Sequence, residues 1–298
     1  MRILLTGGTG LIGRALCREW VAKGHQVMVW SRAPGKVAAL CSGAVGIGKL
    51  QEIHGAQTPD AVVNLAGAPI ADRPWTASRR EVLTQSRIQL TRTLVAWLGT
   101  LPQVPKVLIS GSAVGWYGNG HDAALDEGSA PCRPDFGSAL CAAWEQEALC
   151  AQPLGIRVVL LRTAAVLSSD GGMLARLRPP FSLGLGGRLG SGQQWMPWIH
   201  IDDMVGLIDL LLHGGDCEGP VNACAPQLLR NSEFTVALAR ALHRPAWLPV
   251  PAWVLKIALG EMSNLLLTGQ HAQPRRALQW GYQYRFAQIE PALENVLG

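Results

Sequence analysis

In the first half of the chain, short apolar runs alternate with stretches whose apolar residues recur at helical spacing. Ile3 to Leu5 reads as a buried strand. Residues 11–23 read as a helix, with Ile12, Leu16 and Trp20 on one face and Gly24 as its stop. Val27 to Trp30 is the next strand, and Ala61 to Leu65 another, entered through Pro59 and Asp60. A long helix follows over 76–99, where Ser78 and Glu81 have capping-box spacing. Val107 to Ser110 predicts a strand, 137–152 a helix and Arg157 to Arg162 a strand. This alternation predicts an α/β fold, a doubly wound parallel sheet with helices on both faces.

Residues 168–195 break the alternation and are rich in Gly and Pro. A helix over 202–213 opens at Asp202 and Asp203 and closes at Gly214 and Gly215. Beyond 223 come an amphipathic helix with Phe234, Leu238, Ala241 and Leu242, an apolar segment from Pro245 to Pro251, a helix with Pro251 in its first turn, and a short terminal helix. The expected division is a nucleotide-binding domain over 1–167, to which 196–222 returns. Residues 168–195 and 223–298 form a smaller substrate-binding domain. No internal repeat is visible.

Composition narrows the function classes. The chain has 298 residues, 48% hydrophobic and 16% charged, which is enough to bury a sizeable core and too apolar for a disordered chain. Its net charge of +5 is scattered, without a basic run, and argues against nucleic acid. Seven cysteines without a C-x-x-C pair support neither a zinc site nor a disulfide framework. The first apolar run is too short for a signal peptide, and none reaches the length of a membrane span. The expectation is a cytoplasmic protein, monomer or homodimer, acting on a small molecule with no nucleic-acid or membrane partner.

The candidate chemistry begins at Thr6-Gly7-Gly8-Thr9-Gly10-Leu11-Ile12-Gly13. This glycine-rich turn follows a predicted strand and opens a predicted helix, the context in which it binds a dinucleotide. Gly7 and Gly10 let the backbone approach a pyrophosphate, while Gly13 lets the helix pack on the strand. Thr9, Leu11 and Ile12 complete the turn, and the helix N-terminus offers N–H groups to phosphate. An NAD-preferring site places Asp or Glu after the second strand, whereas this chain has Ser31-Arg32. Arg32 suits a 2′-phosphate, with Arg14 and Lys36 as possible helpers, so NADP(H) is the expected cofactor. Leu65, Ala66 and Gly67, closing the next strand, are placed to line it.

These residues, with Ser110-Gly111-Ser112-Ala113 and Trp198-Ile199-His200-Ile201-Asp202-Asp203, resemble the extended short-chain dehydrogenases/reductases. Pro179-Pro180-Phe181, the glycines from Gly184 to Gly192, Gly260-Glu261, Gly269-Gln270 and Pro274-Arg275-Arg276 bring the chain closer to the atypical epimerase-family branch, also labelled nucleoside-diphosphate-sugar-epimerase-like. The resemblance spans the chain. It implies a Rossmann-type domain, a small C-terminal substrate domain, and a cofactor that Ser110 and Gly111 also border.

The resemblance also implies a catalytic Ser, a Tyr that exchanges the proton, and a Lys four residues after the Tyr that lowers its pKa. Ser112 matches the serine. Phe136 stands where Tyr belongs and Leu140 where Lys belongs, so the usual proton exchange cannot run. Three readings stay open: Tyr117 serves as the acid, water or substrate supplies the proton, or the protein binds NADP(H) without turnover as a sensor or scaffold. Nucleotide-sugar epimerisation is a further alternative, weakened most by the missing pair. Trp116, Phe136, Arg188 and Trp198 are the expected substrate-pocket residues, with Trp75 and Trp195 as further aromatic candidates and the Gly184–Gly192 stretch as a flexible rim. Arg87 reaches either the cofactor region or solvent. His200, Asp202 and Asp203 fit helix capping better than a metal, and no metal is expected.

Overall fold

The computed structural model describes residues 1–298, the side chain of Ala56 excepted. The nucleotide-binding half runs β1 (Arg2–Thr6), α1 (Leu11–Ala22), β2 (Gln26–Trp30), α2 (Val37–Leu40), β3 (Val45–Ile47), β4 (Ala61–Asn64), α3 (Ala77–Thr84), α4 (Leu90–Leu98), β5 (Val107–Ala113), β6 (Ala124–Leu125), α5 (Phe136–Leu149) and β7 (Arg157–Thr163). Then follow β8 (Ala165–Leu167), α6 (Gly172–Ser182), β9 (Trp198–His200), α7 (Ile201–His213), β10 (Gly219–Ala223) and α8 (Asn231–Ala241). The chain ends with α9 (Ala252–Leu259), α10 (Asn264–Leu267), β11 (His271–Ala272), α11 (Arg275–Gln279) and α12 (Ile289–Leu297).

Seven strands form one parallel sheet in the order β10-β7-β5-β4-β1-β2-β3. The expected doubly wound α/β architecture is therefore present. The strand order reverses between β1 and β4, and a crevice opens there at the carboxyl ends of the strands. Strands buried on both faces read as unbroken apolar runs, which is why Ile3–Leu5 and Val158–Leu161 show no alternation. One face packs on α1 and α7 through Leu16, Trp20, Leu207 and Leu211. The other packs on α4 and α5 through Leu94, Leu98 and Ala148.

Four local expectations change. The short edge strand β3 gave no legible pattern. The helix over 76–99 is broken by a π-helical turn, Gln85–Gln89, and its cap is Thr76, whose Oγ1 accepts from Arg79 N at 3.2 Å; Ser78 instead bonds Thr76 Oγ1. Within 168–195 lies helix α6, with Pro179 and Pro180 inside it; each removes one intrahelical donor, and the helix ends two residues later at Ser182. The Arg275–Tyr284 stretch returns to the large sheet: α11 packs on β10, and Ala277, Trp280, Tyr282 and Tyr284 join the large core. A second core gathers Leu167, Leu174, Phe181, Trp198, Phe234, Phe286 and Leu293.

Candidate active site

Thr6 ends β1, and the chain turns through Gly7 at φ +73°, a conformation that disfavours any side chain. Gly10 N donates to Gly7 O at 2.9 Å and closes the turn. A Cβ on Gly7 would lie 2.7 Å from the Leu65 carbonyl carbon, so the turn rests directly on the Leu65-Ala66-Gly67 backbone. A Cβ on Gly13 would lie 2.6 Å from Gly8 Cα, so α1 can sit against the turn only without one. Helix α1 begins with Gly10 as its N-cap, no side-chain cap and no acid in its first turn. Its positive end is thus left for an anion. After β2, Ser31 Oγ accepts from Ala33 N at 3.1 Å and turns the chain. Arg32 is exposed and pairs with no acid among the described residues. Arg14 reaches across to Asp170 O at 3.3 Å.

A buried polar network ties the strand ends beneath this turn. Thr6 Oγ1 donates to Asn64 Oδ1 at 2.7 Å and accepts from Ala66 N at 3.0 Å. Asn64 Nδ2 donates to Thr91 Oγ1 at 2.8 Å and to Ser110 Oγ at 3.3 Å, and Trp144 Nε1 donates to Thr91 Oγ1 at 2.9 Å. Buried polar groups hold a unique arrangement when all find partners. The Ser110 side chain is fully buried in this network, so only its backbone is left to border a cofactor. Gly111 is likewise a packing position, since a Cβ there would lie 2.8 Å from the Trp144 ring.

Ser112 is buried, and its hydroxyl donates to Glu145 Oε1 at 2.6 Å. Glu145, on α5, is gripped by Arg162 of β7: Nε to Oε1 at 2.9 Å and Nη2 to Oε2 at 3.0 Å. Both partners are about 95% buried, and Arg162 stacks on Trp116 with Cζ 3.6 Å from the ring centroid. With its proton committed to a carboxylate, Ser112 has only lone pairs to offer a ligand. Neither Glu145 nor Arg162 was foreseen. The signal was an Arg inside the run Arg157–Thr163, because a charge in a strand covered on both faces must be paired.

Tyr117 is corrected as a candidate acid. It is 0% exposed, and its hydroxyl proton is shared between Asp126 O at 2.8 Å and Asn222 Oδ1 at 2.9 Å. Burial pushes its pKa up to about 12, against partial relief from Arg162. Tyr117 pins the loop after β5 to β10. Tyr117→Phe is expected to cost about 1–3 kcal/mol of stability, because the buried Asn222 amide and the half-buried Asp126 carbonyl lose their donor. Urea unfolding will show that loss, while NADPH titration is expected to show no change.

Phe136 and Leu140 join Trp75, Leu83, Ile88 and Met262 in a small apolar cluster. Phe136 meets Trp75 edge-on at 5.1 Å, and Arg80 lies over the Phe136 ring while pairing with Glu261. The positions of the usual proton machinery therefore fasten α3 and α5 to the segment after α9. A cation is nevertheless close by. The π turn carries Arg87, half-buried, with its guanidinium against Gly67. Arg87 Nη2 donates to Ala68 O at 3.0 Å and Nη1 to Leu83 O at 3.4 Å, and no carboxylate pairs with it among the described residues. Burial lowers its pKa. π turns recur at functional sites because they redirect one side chain.

Trp198 is corrected as a pocket residue: it is fully buried in the second core. The Gly184–Gly192 stretch is not a free rim. Leu248 N donates to Gly186 O at 3.2 Å, Val250 N to Arg188 O at 2.9 Å and Gly190 N to Val250 O at 2.8 Å. A Cβ on Gly187 would collide with Leu248, so the glycines allow this close pairing. Arg188 stays exposed, bonding only Ser191 O at 3.4 Å. His200 Nδ1 caps α7 through Asp202 N at 3.1 Å, and Asp203 accepts from Arg285 N and Phe286 N at 2.7 and 2.9 Å.

Against this geometry, the comparisons with known proteins are specific. A model of the NAD-dependent epimerase/dehydratase family matches residues 3–224. The chain belongs to that family. A domain of unknown function (DUF1731) matches residues 250–296 of this family member. It is 38% identical to the mouse epimerase family protein SDR39U1 over 301 residues, all of both chains. It is 38% identical to the chloroplastic SDR39U1 homolog of Arabidopsis thaliana over 304 residues, covering all of this chain and 87% of that one. The crystal structure of human SDR39U1 (isoform 2) with NADPH superposes with a TM-score of 0.90 at 36% identity, covering 99% of each chain. A UDP-glucuronic acid 4-epimerase from Bacillus cereus, at 18% identity and TM-score 0.79 with 99% and 98% covered, shares the fold. The resemblance to epimerase-family extended short-chain dehydrogenases/reductases thus stands, with the Tyr–Lys pair absent from its usual positions. No helix among the described residues is long and apolar enough to cross a membrane.

Proposed function

We propose that this chain binds NADP(H) and is an oxidoreductase-like member of its family that supplies no side-chain acid at the usual position. The observation that carries the reading is the uncapped N-terminus of α1 on the Gly7–Gly13 turn, with the acid-free Arg32 beside it. The residues fit the group: Gly7 and Gly13 let the turn sit directly against the Leu65 backbone and the first turn of α1, which keeps the α1 N–H groups at the turn, and the end of β2 offers a guanidinium in place of a carboxylate. That the human relative was crystallised with NADPH supports the same choice. When bound, the cofactor supplies a hydride donor or acceptor. The α1 N–H groups hold its pyrophosphate, Arg32 its 2′-phosphate, and Leu65–Gly67 its flank.

Arg87 takes over part of what Lys does elsewhere. Two of its N–H groups are used on neutral carbonyls, and the rest are free to hold the ribose next to the nicotinamide. Ser112 accepts, and the transferred proton comes from water or substrate. A reading without turnover is favoured by one observation, the apolar packing of Phe136 and Leu140. Oxidation of NADPH with a panel of carbonyls and quinones separates the two: sustained turnover supports the oxidoreductase, and none across the panel leaves a binding protein. Nucleotide-sugar epimerisation fits least, since it needs proton exchange at the oxidised carbon.

Two substitutions test the binding mode. Arg32→Ser is expected to weaken NADPH binding on the order of tenfold while leaving NADH unchanged, because one charge-assisted pair is lost. Equal affinities for the two cofactors in the parent protein would overturn the assignment. Arg87→Met is expected to weaken NADPH by a similar factor but not 2′,5′-ADP, which lacks the nicotinamide half. Equal losses for both ligands would make Arg87 a structural residue only.

A further inference from the structure

We propose that the face built from residues 183–188 and 244–257 docks the protein on an anionic membrane surface. It does not depend on the proposed function. The exposed large apolar side chains are concentrated here: Leu183 75%, Leu185 55%, Trp247 84%, Leu248 52%, Trp253 66% and Ile257 79%. The two segments are joined. Arg244 Nε donates to Ser182 O at 2.9 Å, and the Gly186–Leu248 and Arg188–Val250 hydrogen bonds zip the two segments together. Helix α9 follows directly after Val250 and Pro251 and carries Trp253 and Ile257, one turn apart on one side of the helix, and none of its eight residues is buried.

Charge selects the occupant. Neither stretch contributing to the face contains an acid: none occurs from Gly171 to Ile201 or from Phe234 to Gly260. Arg188, Arg244 and Lys256 are exposed on it and pair with no carboxylate among the described residues. A second copy of the same face would set cation against cation. Exposed Trp and branched aliphatics flanked by Lys and Arg are instead the composition that lies in a lipid headgroup layer without spanning it. Apolar patches of this kind mark interaction sites, not ordinary monomer surface. Part of the face opens the segment matched by the domain of unknown function, which begins at residue 250. The expectation of no membrane partner rested on the lack of a spanning segment, which a peripheral contact does not need.

The full chain is sedimented with extruded vesicles of phosphatidylcholine plus phosphatidylglycerol, and with phosphatidylcholine alone. Binding is expected only to the anionic vesicles, with a blue shift of tryptophan emission and loss at high salt. Trp253→Ser with Ile257→Ser is expected to lower binding on the order of tenfold or more. Arg188→Gln with Arg244→Gln and Lys256→Gln is expected to do the same. All five positions are exposed, and circular dichroism and unchanged NADPH affinity serve as the folding controls. Three results would overturn the proposal: no sedimentation with anionic vesicles, equal binding to neutral ones, or equal binding by the variants. A fourth would do so too: gel filtration showing a dimer that Trp253→Ser dissolves assigns the face to a second copy.

Discussion

Gly13→Ala is expected to reduce NADPH affinity on the order of a hundredfold, the largest binding effect of any single methyl group in this protein. The added Cβ would lie 2.6 Å from Gly8 Cα and closer still to Gly7 O, both backbone atoms that no rotamer change can move aside. The first turn of α1 must therefore shift by about 1 Å relative to the Gly7–Gly10 turn. N–H groups aimed at a pyrophosphate then miss it, and a misplacement of that size costs on the order of a hundredfold in a preorganised site. Calorimetric titration with NADPH measures the effect, and thermal unfolding shows whether the fold survives. Gly35→Ala is the control, since a Cβ there meets open space and is expected to change nothing. Parent-like affinity in Gly13→Ala would remove the turn from the cofactor site.

Glu145→Ala is expected to be the most damaging change to stability, about 3–5 kcal/mol. It strands the buried Arg162 guanidinium and leaves the Ser112 hydroxyl without its acceptor. For a chain of this size the midpoint falls on the order of 10 °C. Replacing both ions by apolar residues of similar volume, Glu145→Leu with Arg162→Met, is expected to recover much of that loss, because no charge is then left unpaired in the core. Thermal unfolding of the two variants decides it. A single variant as stable as the parent would mean that the pair is solvated, against its near-complete burial.

Much of the scaffold was legible because its causes are local. Ile3–Leu5, Val27–Trp30 and Ala61–Asn64 are strands by apolar run, and Gly24 stops α1 at positive φ. The Thr6–Gly13 turn is local too, since phosphate-cradling geometry needs glycines at fixed offsets within one strand–turn–helix unit. The missing Tyr and Lys were visible for the same reason: Phe136 and Leu140 are read at their own positions.

What replaced the pair was not legible. Ser112 matches the family's serine by its place at a strand end; only the fold sets it against Glu145, 33 residues away, and Glu145 against Arg162, 17 residues further on. Tyr117 looked available because it follows Ser112, yet Asn222, 105 residues distant, closes over its hydroxyl. Trp198 and the Gly184–Gly192 stretch looked like pocket wall and loose rim; contacts with Phe234 and with Leu248 made them core and docked ribbon. The sequence by itself determined the alternating strands and helices, the glycine turn, the arginine after β2 and the loss of the usual proton carrier, because each is decided within a few residues. Tertiary structure alone decided which polar groups are already spent on one another, because the partner of a buried charge is chosen by three-dimensional proximity and burial, and neither is encoded at the position of the charge itself.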